Sequence, residues 1–329
     1  MSAAPARRWA LVCTIAFAFA SLAGCDIPLP VPSTTPDVAL SGSVLADQST
    51  AILADTFASL AAADAATKVD VAALRVGGDA AAVRSAEYLV AAAGGAAPEV
   101  LPSDILAVYG SNATEWPRAM VVITKAPDAT LTPLVLMWVQ DDARSEYQLR
   151  EWAHMLPAAI VPAMANQSVG FTQIPLDSAG FSMTPKAAID AYVSLLTNGE
   201  PQTPTFATDT YRERMFAART ALTAAAAARA GSYVDKVAAR PDEAFALQTA
   251  EGSALVLVPI TVTSVFTVPG AQLALPASDK ALLEGTLADQ VVHYYRDFVV
   301  LSIPKDASLL PSVVAADHHL VDVTLAEAP

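Results

Sequence analysis

The chain has 329 residues, of which 54% are apolar and 16% charged, and its formal net charge is −14. So apolar a composition excludes a disordered chain, and the length suffices for one large or two medium domains. The acidic balance repels phosphate backbones and argues against a nucleic-acid partner.

The first element is a leader. Arg7 and Arg8 supply a positive segment, residues 9–22 an apolar one, and Ala23 and Gly24 a small-residue cleavage site. The apolar stretch is shorter than the roughly 20 residues that span a bilayer. Leu22-Ala23-Gly24-Cys25 resembles the lipobox of bacterial lipoproteins, in which the cysteine receives diacylglyceryl before the leader is cut. The resemblance implies recognition by the signal peptidase at Leu22, Ala23 and Gly24 and lipidation of Cys25. It implies no cofactor beyond that covalent diacylglycerol, and a place on the extracytoplasmic face of the cell membrane. Loss of Arg7 and Arg8 with the leader would take the charge from −14 to −16. Such a surface repels anionic lipid, so the acyl chains alone would hold the protein to the membrane. Cys13 would leave with the leader, and Cys25 would be a thioether. No disulfide, catalytic cysteine or zinc–cysteine site is then expected.

Residues 25–50 carry Pro28, Pro30, Pro32 and Pro36 among Ser and Thr and are expected to form an extended tether. Residues 51–98 read as helical, with Ile52, Phe57, Leu60 and Ala61 in a stripe and a break at Gly77-Gly78. Residues 99–165 read as strands. The runs at 119–124 and 134–139 are short and β-branched, a turn falls between them, and 147–155 forms a third, ambiguous candidate. Residues 167–177 read as a loop or a loose pair of strands. Thr184 and Pro185 make a helix start, and Gly199 makes the stop. Residues 210–237 form the longest helical segment, with Tyr211, Met215, Ala218 and Leu222 at helical spacing. Strands return at 245–247, 254–268 (with one irregularity), 290–303 and 318–325.

Helices then strands, twice over, predict an α+β fold of two tandem units, each with helices packed on a curved antiparallel sheet. The expected boundaries are 1–24 leader, 25–50 tether, 51–180 first domain and 181–329 second domain. A local likeness supports duplication: Arg75-Val76-Gly77-Gly78-Asp79 precedes Ala86-Glu87-Tyr88, and Arg240-Pro241-Asp242-Glu243 precedes Ala250-Glu251-Gly252. The pattern resembles tandem cystatin-like or nuclear-transport-factor-like cones. It is also similar to actinobacterial surface lipoproteins with two such units, through the lipobox, Trp116-Pro117-Arg118 entering Met120-Val121-Val122, and Met155-Leu156-Pro157. No activity or catalytic residue comes with the resemblance.

Candidate sites are few. His293, Tyr295 and Asp297 share one strand face and could form a pocket wall. Asp317-His318-His319 with Asp322 invites a metal, but adjacent strand residues point to opposite faces, so no metal is expected. Asp141-Asp142 with Glu146 lacks the pattern of a calcium loop and reads as a polar turn. Trp116, Trp138, Trp152 and Tyr147 read as core. No nucleophile elbow, phosphate loop, dinucleotide fingerprint or zinc-protease motif occurs. The expectation is a non-catalytic scaffold or partner-binding protein of the cell envelope. The alternatives are a carrier of an apolar or amphipathic, lipid-like ligand, a solute-binding component of an importer, or an envelope hydrolase whose Asp, His and Ser meet only in the fold.

Overall fold

In the computed structural model, the described residues are 38–66, 75–128, 130–166, 169–283 and 289–325. Residues 22–25 lie outside them, as does the first half of the segment read as a tether. Its end does not: helix α1 spans Val38–Ala66. The tether expectation is corrected there, because the prolines stop at Pro36 and nothing beyond it bars helical hydrogen bonds.

Helix α2 (Gly78–Ala92) follows, with Gly77 as its N-cap. Strands β1 (Ile105–Gly110), β2 (Arg118–Thr124), β3 (Leu134–Gln140) and β4 (Gln148–His154) then form an antiparallel sheet in chain order. Strand β5 is Thr172–Ile174. Helix α3 (Pro185–Asn198) has Thr184 as N-cap, accepting from the Ala187 amide, and ends at Gly199. Helix α4 is Thr210–Ala227, capped by Asp209.

The helix expected over 210–237 is therefore shorter. Gly231 lies where a Cβ would come 2.1 Å from the Thr267 carbonyl oxygen, so the chain turns there. Strand β6 (Ser232–Ala239) follows, its residues alternating between exposed and half-buried. After it come β7 (Phe245–Gln248), β8 (Ala254–Thr267), a short helix α5 (Ala277–Leu282), β9 (Gln290–Ile303) and β10 (Ser312–Thr324). Strand β10 begins well before the expected 318.

The second sheet runs β10-β9-β8-β7-β5, with β6 also paired to β8, and all its pairings are antiparallel. Strands β6 and β7 share one side of β8. Between them sits Pro259: its carbonyl accepts from the Arg240 amide on that side, and its missing N–H would face the same way. The neighbouring strand is interrupted there by a 3-10 turn at Pro241–Glu243. The irregularity expected in this strand is thus borne by its neighbour.

The fold is α+β, with two sheets and helices on each. Helices α1 and α2 cover one face of the first sheet through Leu53, Leu60 and Val83 against Met120, Leu136 and Trp138. The other face, with Val121, Val135 and Met137, meets Leu255, Leu257, Phe298 and Val300 of the second sheet. The far face of that sheet, with Val256, Val258 and Val299, packs under α3 and α4 through Tyr192, Leu196 and Tyr211. Residues 37–329 form one compact unit. The boundary expected at 180 falls inside this unit, and β5, which precedes it, pairs with β7 beyond it.

The duplicated phrases occupy different roles. Asp79 sits in the first turn of α2, whereas Asp242 lies in the 3-10 turn. They meet across the units, because Arg240 pairs with buried Asp79, which also takes Arg296 at 3.2 Å. Burial raises the carboxyl pKa of Asp79 against the pull of both guanidiniums. Asp79→Ala would take this carboxylate from Arg296, while Arg240 keeps Glu243 and Glu151, and losing a charged hydrogen-bond partner costs about 1.5–3 kcal/mol. Urea unfolding should show that destabilisation, and a loss below about 1 kcal/mol, the worth of a surface pair, would refute the role of this bridge.

Candidate functional site

Strand β9 lies inside the second sheet, and its period of two turns His293, Tyr295 and Asp297 toward α4. Two adjoining cavities, of about 320 and 400 Å³, open above this face. They share Leu222, Tyr233, Ser264 and Tyr295 as a common wall. His293 borders the smaller cavity, together with Phe266, Leu273, Leu275 and Val291. The larger is roofed by Tyr211, Met215, Ala218 and Leu222, the stripe seen in the sequence. Tyr211 and Met215 of that stripe also pack on the core, whereas Leu222 remains 38% exposed.

Asp297 is not a wall residue: it is 0% exposed and sits behind the others. Its carboxylate accepts from the Tyr211 hydroxyl at 2.5 Å and bonds His318 Nδ1 at 2.8 Å. His318 stands opposite Asp297 on β10 and stacks on Tyr295, centroids 3.9 Å apart and rings 17° from parallel. Tyr295 lies between His318 and His293, whose ring is 6.1 Å away at 22°. The floor is therefore a row of rings standing on the sheet. His293 Nε2 bonds Asp279 of α5 at 2.9 Å. Burial alone would raise the pKa of Asp279, but hydrogen bonds from His293 and Ser278 hold it below the usual range. Ser264 donates to Asp235 at 2.7 Å and receives the Tyr233 hydroxyl at 3.1 Å. Burial raises the Tyr295 hydroxyl pKa, which keeps that group protonated.

His318 and His319 point to opposite faces. His319 is edge-on to Trp152, with centroids 5.4 Å apart. Its neighbour Asp317 holds His154 Nδ1 at 2.7 Å, while Glu99 lies 3.2 Å from His154 Nε2. The Asp317 hydrogen bond raises the His154 pKa, and burial lowers that of His319. Among the described residues, no group of three or more His, Asp or Glu is placed to hold a metal ion. Asp142 caps its own turn through the Arg144 and Ser145 amides, Asp141 pairs with Arg150, and Glu146 pairs with Arg75. Trp138, Trp152 and Tyr147 are buried. Trp116 is 40% exposed and stacks under Arg118 at 4.2 Å.

Tyr211, Tyr233, Ser264, Asp279 and His318 complete the site around the expected wall. No local signal in the sequence marks them as a group, because Tyr211 reaches Asp297 from 86 residues away.

A family model described as "Domain of unknown function (DUF8094)" matches residues 111–317. The chain belongs to that family. The DUF8094 match runs from the end of β1 into β10 and takes in the cavity roof, the β9 floor and Asp297. It stops one residue before His318. No curated protein and no solved structure matches the chain.

Helix α2 carries a titrating group of its own. Glu87 bonds Arg84 at 3.0 Å, and burial raises its pKa to about 7 despite that guanidinium. The folded state thus holds this proton more tightly than the unfolded chain does. The stabilisation is complete below the ordinary 4.5 and is lost as pH rises through about 7. A shift of this size is worth about 3 kcal/mol. Denaturant titrations at several pH values should show stability falling over this window, and Glu87→Gln should flatten the fall. An unchanged slope in that variant would remove Glu87 as its source.

Proposed function

We propose that this DUF8094 protein is a membrane-tethered, extracytoplasmic lipoprotein that binds a small amphipathic molecule beneath α4. The observation carrying this reading is the pair of cavities with a common wall. One end is lined by Phe266, Leu273, Leu275 and Val291. The other presents Asp235, Arg214 and His318. Apolar pockets of several hundred Å³ with a few convergent polar groups suit small ligands of that kind. A partner-binding scaffold needs no such hollow, so the cavities favour the carrier over the scaffold.

The anchor rests on the lipobox at Leu22 to Cys25. No helix among the described residues is long and apolar enough to cross a membrane. Two acyl chains at about 0.8 kcal/mol per buried CH₂ would hold the chain firmly. Cys25→Ser should abolish incorporation of labelled palmitate and release the protein from membranes. Labelling that persists in the variant would overturn the anchor.

For the ligand, native mass spectrometry of the full chain from its own host should reveal a bound mass that is lost on unfolding. Ala218 lines the larger cavity from an exposed position on α4. Ala218→Trp should fill that space and abolish the bound mass without changing thermal stability. A bare chain mass in the wild type, or the same adduct in both proteins, would refute binding at this site.

A further inference from the structure

We propose that the larger cavity is catalytic and that His318 serves as general base in the hydrolysis of an ester carried by the amphipathic ligand. This rests on the ligand-binding reading above. The surroundings of the four imidazoles single out His318. His154 sets both ring nitrogens against carboxylates. His319 is turned to the other face, toward Trp152. His293 commits its Nε2 to Asp279. His318 alone gives Nδ1 to a fully buried carboxylate while bordering a cavity of about 400 Å³. Its Nε2 has no hydrogen-bond partner among the described residues.

A proton held on Nδ1 by Asp297 leaves the lone pair on Nε2, the tautomer that general-base chemistry requires. The orientation is fixed twice. Tyr211 pins Asp297 from the helix, and Tyr295 packs face-on against the imidazole. Asp297 and Tyr211 are positioning residues. Ser264 shares the cavity, but its hydroxyl proton is given to Asp235. Water is therefore the nucleophile, and no acyl-enzyme forms.

The step balances without a further reactant. His318 Nε2 takes a proton from water as the water oxygen bonds to the ester carbonyl carbon. The resulting oxyanion accepts from the Tyr295 hydroxyl, which borders both cavities and has no partner among the described residues. Arg214 on the rim adds positive charge. The tetrahedral species then expels the alkoxide, which recovers the proton from Nε2 and leaves as the alcohol, with the carboxylic acid as the other product. The apolar cavity beyond Tyr295, walled by Phe266 and Leu275, takes the acyl chain.

The test uses the full chain and 4-methylumbelliferyl butyrate, read by fluorescence, with native mass spectrometry of the same samples. Saturable hydrolysis is expected, and His318→Ala should lower it by about 10²–10⁴-fold, the usual range for a general base. Added imidazole should restore part of that loss in His318→Ala with saturation. Tyr295→Phe keeps the ring stack and removes the oxyanion donor, so it should slow turnover about 10²-fold with KM little changed. A wild-type chain that carries its ligand yet hydrolyses no ester overturns the catalytic proposal and leaves the binding reading intact. Wild-type rates in both variants do the same. Absence of a bound mass together with absence of hydrolysis removes both.

Discussion

Everything in this fold depends on one dry contact, the face-to-face packing of the two sheets. Each sheet is apolar on both sides: one side needs helices and the other needs the opposite sheet. Val121, Val135 and Met137 have no cover but Leu255, Leu257, Phe298 and their neighbours. Burying one such side chain contributes about 1.5–3 kcal/mol, so exposing either inner face would cost as much as the whole margin by which a domain is stable. The two units are therefore two halves of one four-layer body. That is why a strand from before residue 180 can complete the second sheet.

At the rim of this contact, charges are used sparingly and at some expense. Asp79, Arg240 and Arg296 meet with Glu151, whose pKa burial pushes well above the ordinary range. The fully buried guanidinium of Arg84 lies over the Trp152 ring at 5.1 Å and bonds Glu87. Both clusters draw partners from elements far apart in sequence. Such groups tolerate only one arrangement, which makes them devices of register more than sources of net stability.

Much of the architecture was legible because its signals are local. Thr184-Pro185 and Gly199 mark both ends of α3, and the runs at 119–124 and 134–139 read as strands buried on both faces. The errors also have local causes. A run of alanines carried the expected α4 past Gly231, and the prolines before residue 37 hid the start of α1. Period two places His293, Tyr295 and Asp297 on one face, but it cannot say that Asp297 is sealed beneath Tyr211. Nor can it show that His318, 21 residues on, completes the row of rings. Those contacts come from strand register and from the docking of α4, neither of which is written in any short window.

Helix α4 buries little of itself: Tyr211, Arg212 and Ala226 are its buried residues. Its N-terminal turn is held by Tyr211 on Asp297 and by Arg212 on Glu200, and Arg219 ties its middle to Asp235. The C-terminal turns, Leu222 among them, cover the cavities with much of their surface still in water. Elements with so little buried surface open at far lower free energy than the core beneath them. The exposed stretch around Leu222 is thus the thinnest wall of the cavities, while Ala226 beyond it is fully buried and seats the end of the helix.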